Sequence, residues 1–167
     1  SRTGNPTRTD LEANLAALEG GDYGRAFASG MGGINTVLNL LEAGDHVVAG
    51  DDVYGGTHRI FTQVYEDYDL SFDFVDTTDH DAVGDALCAE TALVWVEPPT
   101  NPLMQVNDIA TLSEMAHAHD ALCVVDNTFA TPYLQRPLEH GADIVSHSLT
   151  KYPGGHSDVV GWAVRTD

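Results

Sequence analysis

Residues 24–50 read GRAFASGMGGINTVLNLLEAGDHVVAG. A short strand over 24–29 runs straight into a glycine turn, after which Ile34, Val37, Leu38 and Leu41 recur at the spacing of one helix face. Gly44 and Asp45 then turn the chain into the apolar strand HVVAG at 46–50. Strand, glycine turn, helix and strand make an α/β unit, and the same alternation continues along the chain.

Upstream, TDLEANLAALE at 9–19 places Leu11, Leu15 and Leu18 at helical spacing behind a threonine able to cap the first turn. This predicts a helix starting near Thr9 and ended by Gly20-Gly21. Downstream, a helix is expected through Arg59 to Tyr65, a strand at 70–75 (LSFDFV), a helix at 79–89 interrupted by Gly84, and a strand at 92–97 (ALVWVE). EPPTNP at 97–102 forms a rigid turn, and 107–119 a helix with Ile109, Leu112 and Ala116 on one face. ALCVVD at 121–126 is the most apolar strand; ADIVSHS at 142–148 and DVVGWAV at 158–164 are read as two more. Strands separated by helices of about 10–15 residues imply crossover connections, and therefore an α/β fold, a three-layer α/β/α sandwich around a mostly parallel sheet. Ligands of such sheets gather beyond the carboxyl ends of the strands.

With 167 residues and 43% hydrophobic content, the chain has material for one domain with a buried core. It lacks an uninterrupted apolar run of the roughly 18–20 residues that cross a bilayer, and SRTGNPTRTD has no signal-peptide centre, so a soluble cytoplasmic protein is expected. Acidic residues outnumber basic ones 26 to 7, for a formal charge of −19, and they are scattered along the chain. That field disfavours nucleic acid and anionic membrane as partners. It resembles the lysine-poor surfaces of proteins from salt-loving organisms, where salt screens self-repulsion within a few Å. Cys88, in a helical pattern, and Cys123, in an apolar run, cannot build a disulfide framework and are read as core thiols.

Lys151 is the only lysine, set in SHSLTKYPGGHSD at 146–158. Taken alone it could be a surface ammonium; its neighbours argue otherwise. If the sheet is parallel, the turns carrying Ser29-Gly30-Met31, Tyr54, Glu97 to Asn101, Asp126 and Ser148 to Lys151 share one edge. Asp126 ends a buried strand, where a carboxylate needs a cationic or strongly donating partner; it either caps the following turn or holds a protonated heterocyclic nitrogen. Gly30-Met31-Gly32-Gly33 opens a helix whose free N–H groups can bind an anion, although such a turn also serves tight helix packing; it matches neither GxGxxG nor GxxxxGK. Ser148 and Thr150 add hydroxyl donors, Gly55-Gly56 lets a flat ligand approach Tyr54, and Asn101 is flanked closely by prolines. Glu97 is read chiefly as part of its turn. His117 and His119 point to different sides of a helix and make no metal pair, and the adjacent His156, Ser157 and Asp158 cannot face one another as a triad. A lysine amine, a strand-end carboxylate, an anion-binding helix start with hydroxyls, and an aromatic ring are what pyridoxal 5'-phosphate requires.

Six ordered motifs, SRTGNPT at 1–7, SGM at 29–31, DVYGGT at 52–57, EPPTNP at 97–102, VVDNTF at 124–129 and HSLTKYPGGHSD at 147–158, resemble the Cys/Met-metabolism family of fold-type-I pyridoxal phosphate enzymes. The resemblance implies that Lys151 is the Schiff-base lysine, Asp126 the carboxylate on the pyridine nitrogen, and Tyr54 the stacking tyrosine that also exchanges protons. It further implies that Gly30, Met31, Ser148 and Thr150 bind phosphate and that Asn101 lies near the ring hydroxyl. Arg2 would reach a neighbouring subunit's cofactor in a homodimer within a homotetramer. Residues 1–167 would then be the cofactor-binding large domain, with its N-terminal arm incomplete and the C-terminal domain, which supplies the arginine for the substrate carboxylate, absent. The expected activity is transsulfuration on an amino-acid substrate, of the cystathionine gamma-synthase or gamma-lyase type. YGGT lacks the cysteine that methionine gamma-lyases tend to carry at the Gly56 position, and GGHSD is more similar to the cystathionine enzymes than to the O-acetylhomoserine sulfhydrylases. Two rival readings are an NAD-dependent dehydrogenase, with Asp51 or Asp52 on a ribose, and a catalytically silent fragment.

Overall fold

A computed structural model describes residues 4–166. Helix α1 (Pro6–Glu19) starts three residues before Thr9 because Asn5 is the better cap: its Oδ1 accepts the N–H groups of Thr7 (3.0 Å) and Arg8 (3.4 Å), and Pro6 needs no donor partner in the first turn. The helix stops at Gly20, in the left-handed conformation at φ 80°. Its buried face is Leu15, Ala16 and Glu19, whereas Leu11 and Leu18 are 41% and 52% exposed, so the leucine spacing marks only one edge of the packed stripe.

The remaining elements are β1 (Tyr23–Phe27), α2 (Gly30–Leu38), β2 (His46–Gly50), α3 (Gly55–Gln63), β3 (Ser71–Val75), α4 (His80–Ala86) and β4 (Thr91–Val96). They continue with α5 (Ile109–His117), β5 (Leu122–Asp126), α6 (Thr131–Leu134), β6 (Ile144–Ser148) and β7 (Trp162–Thr166). Among the described residues the strands form one sheet in the order β1-β7-β6-β5-β4-β2-β3. β2 through β6 pair in parallel, and β7 pairs antiparallel with both β6 and β1. Since β1 is antiparallel to the one reversed strand, it runs with the other five. The carboxyl ends of six strands therefore share one edge, and Trp162, at the start of β7, meets them there.

Three local expectations change. The last strand begins at Trp162 and not at Asp158, because Leu149 N–H donates to Gly161 O (2.9 Å) and the β6–β7 ladder closes only there. The helix through Arg59 ends at Gln63 and tightens into a 3₁₀ turn over Tyr65–Tyr68. Cys88 lies outside α4 and is half-buried, with its N–H bound to Thr91 Oγ1 (2.9 Å); Cys123 is buried as expected, and burial pushes its thiol up to about 11.

Period-two alternation splits each central strand between two cores. Val47, Ala49, Leu93, Trp95 and Val124 face α2 and α3 through Ile34, Val37, Leu38 and Phe61. Val48, Val94, Val96, Cys123 and Val125 face α4 and α5 through Val83, Ile109, Leu112 and Ala116. Both faces of the sheet are covered, which is the three-layer α/β/α architecture. Each of the valine, leucine, isoleucine and phenylalanine side chains contributes roughly 1.5–3 kcal/mol of burial, so the strand ends sit on a stiff platform.

Candidate functional site

The shared edge holds a cavity of about 430 Å³, lined by Gly30, Met31, Tyr54, Asn101, Asp126, Ser148, Thr150 and Lys151. Every candidate residue within the described part of the chain is thus brought together; Arg2 lies outside the described residues.

Ser29 caps α2 through its Oγ, which accepts Gly32 N–H (3.1 Å). The N–H groups of Gly30 and Met31 have no acceptor within the helix and lie at its positive end, beside the cavity. The glycines serve packing as well. A Cβ on Gly30 would meet the Trp162 ring at 3.0 Å, and one on Gly33 would run into the indole itself.

Lys151 follows β6 in a turn closed by its own N–H on Ser148 O (3.1 Å) and by Gly155 N–H on its carbonyl (2.9 Å). The two glycines after Pro153 are required for that turn. A side chain on Gly154 would sit 2.6 Å from Leu149 O, and Gly155 has φ 75°. Thr150 also lines the cavity, and its hydroxyl accepts Gly161 N–H (3.1 Å), which holds the residue before β7.

Asp126 has no ion-pair partner among the described residues; of the two expected kinds of partner, cationic or strongly donating, the structure supplies the donors of the following turn. Its Oδ1 accepts the N–H (2.9 Å) and hydroxyl of Thr128, an Asx-type turn that the DNT sequence encodes. Burial, and then the neighbouring Glu97 charge, push its carboxyl up to about 8 despite those two bonds. Such a group gains most from a cation placed against it. Thr128, not singled out by its sequence position, is the link between strands: its Oγ1 also accepts Ser148 N–H (2.8 Å), joining the ends of β5 and β6.

Glu97 lines the cavity more intimately than its place in a turn suggested. Its Oε2 accepts Tyr54 N–H (2.7 Å), and its Oε1 accepts Trp95 Nε1–H (2.9 Å) and the Thr57 hydroxyl (3.0 Å). Burial raises its pKa, the three donors pull it back, and nearby Asp52 raises it again. Tyr54 stands 59% exposed at the head of α3, its ring filling the space that a Cβ on Gly56 would need.

Behind the cavity lies a buried ionic cluster with no signature in local sequence. Glu19 on α1 contacts His147 Nε2, accepts from Asn127 Nδ2 (2.8 Å), and lies 3.6 Å from Arg165 on β7. All three charged or titratable partners are at most 1% exposed. Burial lowers the His147 pKa and brings Arg165 down to about 10. Among the described residues there is no cluster of histidine, cysteine and acidic groups able to hold a metal, and no helix long and apolar enough to cross a membrane. His117 binds Asp143 (2.9 Å), while His119 faces Met115 O.

The cavity suits a flat ligand with an anionic end at α2, a basic ring nitrogen at Asp126 and a carbonyl within reach of an amine. Residues 1–167 match the family model described as Cys/Met metabolism PLP-dependent enzyme. The chain is 54% identical to a probable cystathionine gamma-synthase of Herpetosiphon aurantiacus over 99% of its own length and 52% of that protein. It is also 54% identical to the cystathionine beta-lyase of Lactococcus lactis over 100% of its length and 44% of that protein. The crystal structure of cystathionine gamma-lyase from Lactobacillus plantarum complexed with L-serine superposes with a TM-score of 0.97 at 52% identity, covering 99% of this chain and 44% of that one. The chain spans about half the length of these relatives.

Proposed function

The chain belongs to the Cys/Met metabolism PLP-dependent enzyme family, and on that premise we propose that it is the cofactor-binding large domain of a longer transsulfuration enzyme. Its substrate class is an amino acid of the cystathionine or activated-homoserine type, and its chemistry gamma-replacement or gamma-elimination. The observation that carries this reading is the meeting of Lys151, Asp126, Tyr54 and the start of α2 in one cavity. Membership of the family sets aside the dehydrogenase reading of Asp51 and Asp52.

Pyridoxal phosphate supplies an electron sink for a carbanion at the substrate's alpha-carbon. Lys151 would hold it through the side-chain amine and, once displaced by the substrate amine, carry protons between the alpha- and beta-carbons. Asp126 would keep a proton on the ring nitrogen, and its buried setting would make that ion pair strong. The N–H groups of Gly30 and Met31, with the hydroxyls of Ser148 and Thr150, would bind the phosphate. Tyr54 would stack on the ring and exchange protons with the amines, and Asn101 would serve the ring hydroxyl. Arg2 is assigned to the phosphate site of a neighbouring subunit in a homodimer or homotetramer, and the enzyme to the cytoplasm.

The test is turnover by the full-length protein. An activated homoserine ester with cysteine should yield cystathionine if it is a synthase, and cystathionine alone should yield a 2-oxo acid and ammonia if it is a lyase. Failure of the cofactor-loaded protein on both substrates would overturn the assignment.

A further inference from the structure

The head of α3 presents Tyr54 to the cavity, yet its own sequence does little to fix it. The N-cap residue is Tyr54 itself, with no side-chain cap, no acidic residue follows in the first turn, and two glycines come next. A helix start of this kind leaves its N–H groups and its dipole without a partner from its own chain segment. The missing acceptor comes from the residue that follows β4. Glu97 Oε2 takes Tyr54 N–H at 2.7 Å, the shortest of its three bonds, and Oε1 takes the Thr57 hydroxyl one turn on. Trp95 locks the carboxylate from beneath through Nε1, and its own ring is fully buried and packed edge-on against Phe61 of α3.

We propose that Glu97 is a positioning residue for cofactor binding: a carboxylate just past the end of β4 that caps α3 from outside and so sets where Tyr54 stands over the cavity. The inference rests on the reading of the cavity as a pyridoxal phosphate site. Three neutral donors hold Glu97, and among the described residues no cation pairs with it. The titratable groups around it are Asp52 and Tyr54 beside α3, Asp126 on β5 and Lys151 after β6. Glu97 acts on the ligand through the backbone of Tyr54; Gly56, lacking a Cβ, leaves room for the ring that this anchor points at it.

A double-mutant cycle on the full-length protein separates positioning from general support. The dissociation constant for pyridoxal phosphate is measured by fluorescence titration, with visible circular dichroism of the bound cofactor, for wild type, Glu97→Gln, Tyr54→Ala and the double variant. Gln offers one acceptor in place of two; with its oxygen kept on Trp95 and Thr57, its amide donor faces Tyr54 N–H and the anchor is lost. Glu97→Gln should weaken binding roughly tenfold, the equivalent of one charged hydrogen bond, and change the cofactor's dichroism. In the Tyr54→Ala background the same substitution should have no further effect. Equal losses in both backgrounds, or an unchanged constant and dichroism in Glu97→Gln, would overturn the proposal. Should Glu97→Gln fail to fold, Thr57→Val, which deletes one of the three donors, decides between the same outcomes with a smaller loss. If wild type itself does not bind pyridoxal phosphate, the reading of the cavity has failed and not merely the role of Glu97.

Discussion

Asp126→Asn offers the sharpest test of the electrostatics of the site. Burial, and then the Glu97 charge it faces, raise the carboxyl's pKa from 3.8 to about 8, against the pull of the two Thr128 bonds to Oδ1. Between about pH 4 and about pH 8 the Asp126 site of the cofactor-free folded protein holds a proton that the unfolded chain has lost. Stability therefore falls as pH rises through that window, with a slope approaching about 1.4 kcal/mol per pH unit from this group. Its contribution is fully present below about pH 4 and is gone above about pH 8, a swing on the order of several kcal/mol. Asparagine keeps the Oδ1 acceptor for Thr128 and cannot titrate. In urea denaturation of the cofactor-free full-length protein at pH 5, 6, 7 and 8, the stability gap should move in favour of Asp126→Asn as pH rises. Taking the difference between the two proteins cancels the titration of groups remote from Asp126 and leaves that of Asp126 with its coupled neighbour Glu97. Identical slopes, or a variant that loses ground at pH 8, would refute the assignment. With a cationic ring nitrogen against Asp126 the carboxylate is stabilised, so cofactor should flatten the wild-type slope and leave the variant's unchanged.

Two further substitutions probe the platform. Gly33→Ala drives a methyl into the Trp162 indole; overpacking of this kind costs about 1–3 kcal/mol, readable as a lower urea midpoint, and it should also loosen cofactor binding by displacing the start of α2. Glu19→Ala strands a buried Arg165 without its counter-charge and should destabilise by about 3–5 kcal/mol; Glu19→Ala combined with Arg165→Met should recover much of that loss if the buried guanidinium is its source.

The sequence made the strand–helix alternation legible because the apolar runs are short and bounded by glycine, proline or aspartate, as at Gly44-Asp45 and in EPPTNP. It made Lys151, Asp126 and Gly30 legible because the chemistry needs those residue types at strand ends. Strand order was not legible. The two strands of 24–50 have four others between them, β1 at one edge beside the reversed β7 and β2 next to the other. Thr128, Glu19 and Arg165 escaped notice because their partners are distant in the chain: Thr128 reaches 20 residues to Ser148, and Glu19 reaches 128 to His147. The cap of α1 was misplaced through Thr9, although Asn5-Pro6 carries the stronger local signal. Glu97 has a turn-like context but spends its carboxylate on α3, and only the fold brings those two segments together.

The central claim is that Lys151 is the residue that holds the cofactor in this cavity. The full-length protein is loaded with pyridoxal phosphate, reduced with borohydride, digested and analysed by mass spectrometry. The peptide containing Lys151 should carry the reduced cofactor, and Lys151→Ala should carry none. Labelling at another site in wild type, or retention of the adduct in Lys151→Ala, would contradict the account.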